Sequence, residues 1–511
     1  MAAMTSSVRT PSPAALAVLL CGTFMASLDT AIVNVAGPAI QADTGASGAG
    51  LQLVISGYAL AYAALLITGA RLGDDHGHRR LFLAGLAGFT ATSLLAGVAW
   101  STEVLVAARI GQGVAAAAMG PQVMTVIQLQ YDGAARMKAM ALLATVVSAG
   151  VVVGQVLGGA LVDADLLGTS WRPVFLINVP VGVALLAVGA RLLPQTRRPR
   201  GRAMDWIGVA LMTGVIALVM VPLVFGHEVD WASWTWACLA AAVPTALLLA
   251  AHLRRTRTRG GAPVVDFALL GRARFGLGMA STTAVMIAYG GFLFTFTLHL
   301  QEGLADSPLR AGLTFAPYAV GFAITSLGVP ALPPALGRRL APAGLALSAV
   351  GYAGLALLTG GGATWSDAEA LPLLVLAGAG FGAGYSQVIT RAIAGVPADQ
   401  AHEASGLFNT INMLGFALGV AVLGSAFLSQ VEGAASGTAA ADITGSAFET
   451  VGLGCAALCA AAIALVIALS RAEGRAGAAA QPEHGSGENA SSASSRETAP
   501  VMAATTSSAS G

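Results

Sequence analysis

Fourteen long apolar runs, each bounded by charged or turn-forming residues, divide this chain of 511 residues. One helical crossing of a bilayer needs about 20 consecutive apolar residues, and each run is close to that length or longer. The pattern predicts an all-α integral membrane protein with fourteen transmembrane helices. The predicted spans are residues 14–40, 50–70, 81–100, 103–129, 137–162, 173–193, 205–225, 234–252, 275–301, 311–333, 340–360, 370–393, 403–428 and 447–470.

The composition excludes the main soluble classes of protein. Hydrophobic residues make up 56% of the chain and charged residues 10%, whereas a soluble domain is about 25% charged. The formal net charge of +1 provides no basic field for a nucleic-acid partner. The four cysteines lack the spacing of a zinc site, and the sequence contains no P-loop or catalytic constellation. We therefore expect neither an enzyme nor a bound metal or cofactor.

The basic residues predict the orientation of the chain in the membrane. With a cytoplasmic N-terminus, 23 of the 26 basic residues fall in segments on the inner side. Arg172 and Arg310 fall outside, and Arg109 lies within a span. Cytoplasmic loops carry an excess of Lys and Arg, so this division supports fourteen spans with both termini in the cytoplasm.

Two strongly basic linkers predict how the spans are grouped. Their removal, with the spans between them, leaves six spans on either side, as in a transporter built from two repeats. The basic linkers themselves are expected to contact anionic membrane lipids, and the Ser- and Ala-rich C-terminal segment is expected to be disordered. The predicted divisions are an N-terminal tail (1–13), a six-helix bundle (14–193), linkers with two inserted helices at 205–252 (194–274), a second six-helix bundle (275–470) and a disordered cytoplasmic tail (471–511).

Two charged residues are predicted to lie inside the membrane. Asp29 is in the first span and Arg109 in the fourth, and both could lie at the same depth in the outer half. Charge within a span is costly and indicates function. We interpret the two residues as a proton-coupling pair. The alternative is a static salt bridge between the two helices. Asp29 could also anchor a cationic substrate, a role that is compatible with proton coupling.

The first span of the second half combines aromatic and polar residues, a combination that suits an amphipathic organic ligand. Asn409 and Asn412, in the thirteenth span, are interpreted as helix–helix hydrogen-bonding residues instead. The candidate residues for a substrate cavity are Asn34, Tyr289, Phe292, Phe296, His299 and Gln387.

Glycines recur every fourth residue in the fifth span, at Gly150, Gly154 and Gly158. Such spacing permits close approach of another helix, and we expect these glycines to form a sliding surface between the two halves. Gln155 is expected to face a partner helix or a cavity. Gly415 and Gly419 repeat the pattern in the thirteenth span.

Several motifs resemble the major facilitator superfamily, specifically its fourteen-helix drug:proton antiporters, over about residues 14–470. The segment 28–38 is similar to the first-helix motif, and 171–180 is similar to the family sequence entering the sixth span. The fourth-span motif matches at Leu105, Arg109, Gln112 and Gly113. In that family the motif arginine is implicated in proton coupling, which the resemblance carries over to Arg109.

Two further motifs match in part. The loop motif on residues 70–79 matches at Leu72, Asp74, Gly77 and Arg79 and departs at Ala70, Asp75 and His78. The resemblance implies that this loop helps to lock the halves in the outward-open state, with a weaker or rewired lock here. The antiporter motif matches at Gly150, Gly154, Gly158 and Gly159, but Gln155 replaces its proline.

Residues and resemblance together predict a proton-driven exporter of small amphipathic compounds that works by alternating access in the cell membrane. The proton gradient is its energy source, and a lipophilic small molecule is its expected partner. We expect a monomer. The alternatives are proton-coupled symport, export of a metabolite or lipid, and a membrane sensor that binds a ligand without transporting it.

Overall fold

The computed structural model describes residues 13–195, 205–226, 228–261, 269–328, 334–360, 366–394, 396, 401–434 and 439–479. Within these ranges the chain forms helices joined by short turns, and fourteen segments are long and apolar enough to cross a membrane. The prediction of fourteen spans is confirmed. The helices are α1 (Pro13–Thr44), α2 (Gly48–His76), α3 (His78–Gly97), α4 (Thr102–Gln130), α5 (Gly133–Asp163), α6 (Pro173–Leu176), α7 (Asn178–Leu192), α8 (Trp206–Phe225), α9 (Ser233–Thr258), α10 (Ala273–Leu298), α11 (Pro308–Gly328), α12 (Pro334–Thr359), α13 (Asp367–Ala394), α14 (Ala401–Glu432) and α15 (Ala440–Ala479).

Local sequence sets where several helices begin and end. The Ser47 hydroxyl accepts a hydrogen bond from the Gly50 amide at 3.1 Å and caps α2. The sixth span consists of α6 and α7, which follow each other with one residue between them. α10 continues into a π-helical turn at His299–Gly303.

The last helix differs from its predicted bounds. It begins at Ala440 and continues to Ala479, past the expected start of the disordered tail at 471. Glu473 explains the extension, because its carboxylate accepts a 2.9 Å hydrogen bond from Arg391 of α13. Residues 480–511 of the predicted tail, residues 1–12 of the N-terminal tail, and linker residues 196–204 and 262–268 lie outside the described residues.

The two six-helix halves repeat the same packing. In the first half α1 packs against α5 and α2 against α4; in the second, α10 packs against α14 and α11 against α13. Glycines permit the close approach of α1 to α5 and of α10 to α14. A Cβ at Gly154 would lie 2.8 Å from the Leu28 oxygen, and one at Gly419 would lie 2.1 Å from the Ile287 oxygen.

The inserted helices α8 and α9 form a hairpin along α2 and α14. Their connecting turn places the Glu228 carboxylate 2.6 Å from the Ala49 amide, at the N-terminus of α2. Ser425 of α14 is 3.3 Å from Gln52 of α2 and 3.4 Å from the carbonyl oxygen of Leu223 in α8. The hairpin therefore covers one junction between the two halves.

The halves meet tightly at the end of the bundle where α1 ends and α2 begins. A Cβ at Gly159 of α5 would lie 2.3 Å from the Pro308 oxygen of α11. The Gln301 side chain donates a 2.9 Å hydrogen bond to the Val35 carbonyl of α1. At the opposite end, a cavity lies between the halves. The bundle is therefore closed at one end and hollow toward the other.

Candidate functional site

The Asp29 carboxylate lies at the centre of a buried polar cluster and has no exposed surface. Arg109 Nη1 donates to its Oδ2 at 2.5 Å. Its Oδ1 accepts from Gln112 Nε2 at 3.1 Å and from Asn178 Nδ2 at 2.8 Å. Side chains of α4 and α7 thus converge on one carboxylate of α1. The predicted proximity of Asp29 and Arg109 is confirmed.

The guanidinium of Arg109 is fixed on its other sides as well. Its Nε donates to the Val54 carbonyl of α2 at 2.9 Å, and Nη1 also contacts Gln112 Oε1 at 2.8 Å. The Tyr58 ring lies 4.9 Å from the guanidinium carbon, and the Phe175 ring 5.7 Å. Such cation–π contacts are favourable in a desolvated site.

This cluster satisfies the charges that burial would otherwise leave unpaired. A carboxylate inside a membrane protein is tolerated when opposite charge and hydrogen-bond donors surround it. The Asp29 carboxylate accepts hydrogen bonds from one cation, Arg109, and from two side-chain amides, Gln112 and Asn178. Because none of its surface is exposed, it does not act as an anchor for a cationic substrate in this conformation.

The cavity has a volume of about 340 Å³ and lies between the first half and α14. Its wall is apolar with scattered hydroxyl and amide groups, and none of the described residues that line it is charged. Two tyrosines, Tyr58 and Tyr62, stack with ring centroids 6.1 Å apart. The lining residues are Thr23, Ala26, Ser27, Thr30, Tyr58, Tyr62, Leu66, Ala70, Ala116, Met119, Gly120, Pro121, Val123, Met124, Thr125, Leu143, Val147, Gly406, Asn409 and Met413.

Tyr58 belongs both to the cavity wall and to the buried cluster. It lines the cavity, and its ring lies against the guanidinium of Arg109. A ligand that displaces this ring therefore acts on the partner of Asp29 through a single side chain. No motif or residue spacing in the sequence indicated that Tyr58 lies at the cavity wall. The role of Asn178 could have been inferred from its place in the 171–180 motif.

The six predicted cavity residues do not line this cavity. Phe292 and Phe296 stack on each other at 5.0 Å in an aromatic cluster inside the second half. His299 is buried, and its Nδ1 is 3.0 Å from Thr444 Oγ1. Tyr289 stacks on Phe381 at 5.0 Å. The prediction was wrong for this cavity because α10 directs its aromatic residues into its own bundle. Asn34 and Gln387 are also buried away from the cavity wall.

Asn409 also differs from its interpretation, since it lines the cavity. Asn412 is buried, and its Nδ2 donates to the Phe408 carbonyl of its own helix at 2.7 Å. The sequence could not distinguish them, because both are asparagines on the same helix and their surroundings depend on how α14 packs against its neighbours.

The partly matched loop motif is a one-residue break between two helices. Gly77 separates α2 from α3 with a φ of 95°, a conformation that favours glycine. Leu72 and Asp74 lie in the last turns of α2, and Asp74 is 3.5 Å from His78. Arg79 donates to the Ala190 carbonyl of α7. His78, which departs from the motif, has its Nδ1 2.7 Å from Gln122 Oε1 of α4.

The glycine-rich face of α5 corrects another expectation. Cβ atoms at Gly150, Gly154 and Gly158 would all meet α1, which belongs to the same half. These three glycines therefore do not form the surface between the halves. Gly159 and the backbone of Gln155 do, against α11. Gly113 permits close packing of α4 on α2 within the first half, because a Cβ there would lie 2.3 Å from the backbone carbonyl oxygen of Tyr58.

Comparison with known proteins identifies the family. The sequence pattern described as Major Facilitator Superfamily matches residues 19–206 and 199–420. The chain belongs to the Major Facilitator Superfamily. A probable actinorhodin transporter of Streptomyces coelicolor is 38% identical over 81% of this chain and 72% of its own length. Proteins of this family are transporters, so this chain is a multi-pass membrane transporter and not an enzyme.

Other members of the superfamily are similar over most of the chain. The cephamycin export protein CmcT of Amycolatopsis lactamdurans is 36% identical over 78% of this chain and 82% of its own. The tetracenomycin C resistance and export protein of Streptomyces glaucescens is 32% identical over 82% and 77%. A bacterial homologue of the human lysosomal transporter Spinster, solved in an inward-facing and occupied conformation, shares the fold. Its TM-score is 0.64 at 18% identity, covering 89% of this chain and 96% of that one.

Proposed function

We propose that this transporter exports small lipophilic compounds in exchange for protons and draws its energy from the proton gradient alone. The observation that carries the proposal is the buried Asp29–Arg109 pair, with Tyr58 between it and the cavity. A carboxylate in such a place can take up and release one proton. The ring of Tyr58 gives the ligand a means to influence that exchange.

The cavity wall supports a lipophilic and uncharged substrate. Met119, Met124 and Met413 provide adaptable apolar surface, and the two stacked tyrosines provide flat contact area. Relatives named as a probable actinorhodin transporter and as export proteins for cephamycin and tetracenomycin C support an organic compound of this kind over an ion or a sugar.

We place the protein in the cell membrane as a monomer with both termini in the cytoplasm, its basic linkers on anionic lipids. In this orientation the cavity faces the cytoplasm, and the tight contact of α5 with α11 closes the outer side. The structure then corresponds to the inward-facing stage of an alternating-access cycle.

We propose the following cycle for this geometry. Substrate enters the cavity from the cytoplasm and presses on Tyr58. The ring moves against Arg109 and favours its pairing with Asp29, so a protonated Asp29 releases its proton inward and reaches the paired form described above. The halves then rock about the cavity, substrate leaves to the outside, and Asp29 takes up a proton there.

The test uses purified protein in liposomes with an imposed pH gradient. A panel of cationic and neutral lipophilic compounds is added, and proton and substrate movements are followed together. Asp29→Asn removes the proton site. Asp43→Asn is the matched control, because it breaks an Asp–Arg pair on the same helix whose side chains are 38% and 29% exposed.

We expect substrate-dependent proton flux opposite to substrate movement, lost in Asp29→Asn and retained in Asp43→Asn. Wild-type export by Asp29→Asn would refute the role of Asp29. Flux in the same direction as the substrate would establish symport instead. Ligand binding without any flux would indicate a sensor.

A further inference from the structure

Two buried amide side chains near the cavity carry hydrogen-bonding atoms that have no partner. Asn34 of α1 is 2% exposed, and Gln155 of α5 is 1% exposed. The Asn34 amide donates to the Thr30 carbonyl at 3.0 Å, which leaves its Oδ1 without a donor. The Nε2 group of Gln155 has no acceptor. One free acceptor and one free donor are therefore buried here, and buried polar groups are normally paired.

Asn34 lies directly beyond the cavity, on the face of α1 that lines it. Thr23, Ser27 and Thr30 line the cavity, and Asn34 continues their spacing of three or four residues, which places all four on one helix face. Asn34 is one turn past Thr30, about 6 Å further along the helix axis.

Gln155 lies at nearly the same depth, on the face of α5 that meets the other half. Gly159, four residues later on that face, touches α11, and a Cβ at Gly312 of α11 would lie 2.5 Å from the backbone carbonyl oxygen of Gln155. Gly154 packs against Ala31 of α1, and Asn34 is three residues beyond Ala31, or about 4.5 Å. Gln155 therefore lies where α5 closes against α11, and Asn34 lies beside Val35, whose carbonyl accepts a hydrogen bond from Gln301 of the other half.

We propose that Asn34 and Gln155 form a polar subsite for the substrate on its way out. The inference rests on the proposed export function, in which the halves separate at this junction. Opening of the α5–α11 contact exposes both groups at the moment when the substrate leaves the cavity. Asn34 Oδ1 then accepts a hydrogen bond from a substrate hydroxyl, and Gln155 Nε2 donates one to a substrate carbonyl.

The chemistry of the subsite indicates a substrate class, namely flat, uncharged aromatic compounds that carry both a hydroxyl and a carbonyl group. The flat shape follows from the tyrosine pair in the cavity wall, and the two polar groups follow from one acceptor and one donor. Neither amide is charged, so the subsite provides no charge to offset that of a cation. A buried site built to hydrogen-bond a hydroxyl discriminates strongly against an analogue that lacks it.

The test compares two probes, 2-hydroxyanthraquinone and anthraquinone, which differ by one hydroxyl group. Binding is measured by tryptophan fluorescence of the full chain in lipid nanodiscs, and proton flux is measured in liposomes. The variants are Asn34→Leu and Gln155→Met, which keep the side-chain size and remove the amide. Asn412→Leu is the matched control, because Asn412 is equally buried and also has an unpartnered Oδ1, but lies on α14.

The wild-type protein is expected to bind the hydroxylated probe about tenfold more tightly, the effect of about 1.4 kcal/mol. Asn34→Leu is expected to abolish that preference and leave the affinity for anthraquinone unchanged. Gln155→Met is expected to weaken binding of both probes, because both carry carbonyl groups. Asn412→Leu is expected to change neither. Equal binding of both probes by the wild-type protein, or an undiminished preference in Asn34→Leu with wild-type affinities in Gln155→Met, would overturn the subsite.

The two proposals fail separately. A preference for the hydroxylated probe without any proton flux would leave the subsite standing and refute antiport. Proton flux with both probes but no preference between them would support antiport and refute the subsite. Asp29→Asn provides a further check, because it is expected to lose the flux and keep the preference.

Discussion

Replacing Gly154 with alanine is expected to disturb the proton pair from outside the cluster. A Cβ at Gly154 would lie 2.8 Å from the Leu28 oxygen and 2.9 Å from the Ala31 Cβ. An ordinary contact begins at 3.4 Å, so the two helices must separate by about 0.6 Å. Because the Leu28 oxygen is backbone, it cannot rotate away, and Asp29 is the next residue along α1.

The size of the effect follows from two opposing contributions. Overpacking a tight contact costs about 1–3 kcal/mol. Alanine in place of glycine within a helix contributes about 1 kcal/mol in the other direction. Gly214→Ala in α8 provides the second contribution alone, because the nearest atom to its Cβ is 4.0 Å away. The two variants should therefore differ by the packing cost itself.

The assay is thermal unfolding of both variants in the same detergent, with proton flux in liposomes as the second measurement. Gly154→Ala is expected to unfold at a lower temperature than Gly214→Ala and to lose flux, since the 2.5 Å contact between Asp29 and Arg109 tolerates little displacement. Equal unfolding temperatures with full flux in both variants would show that the α1–α5 contact is not as rigid as argued.

Two further predictions concern buried and capping charges. Arg109→Met leaves Asp29 without its cation and is expected to cost about 3–5 kcal/mol; the double variant with Asp29→Asn should recover part of that loss, as measured by thermal unfolding, and no recovery would contradict the pairing. Glu228→Gln weakens the cap on the Ala49 amide and is expected to cost about 0.5–2 kcal/mol; an unfolding temperature equal to that of the wild-type protein would dismiss the cap.

The number of spans and the Asp29–Arg109 pair could be predicted because each depends on a strong physical constraint. A bilayer fixes the length of every span, and the cost of an unpaired charge in lipid brings opposite charges together. Neither constraint requires knowledge of which helices are neighbours.

The residues that line the cavity could not be predicted, because they depend on which helices are neighbours. The spacing of Gly150, Gly154 and Gly158 indicates that a helix approaches closely, but the same spacing suits α1 or a helix of the other half. Phe292 and Phe296 likewise have the character of ligand-binding residues, yet an aromatic cluster within one bundle buries them equally well. Helix rotation and pairing decide both outcomes, and these depend on all of the packing contacts together.

The inserted hairpin makes the two flanks of the transporter unequal. The α8–α9 pair covers the junction of α2 with α14, while the equivalent junction of α5 with α11 faces the bilayer without such a cover among the described helices. A compound dissolved in the membrane therefore meets the added hairpin on one flank and the α5–α11 contact itself on the other. We expect lipid and lipophilic compounds to have different access to the two flanks, because additional helices shield only one of the two junctions between the halves.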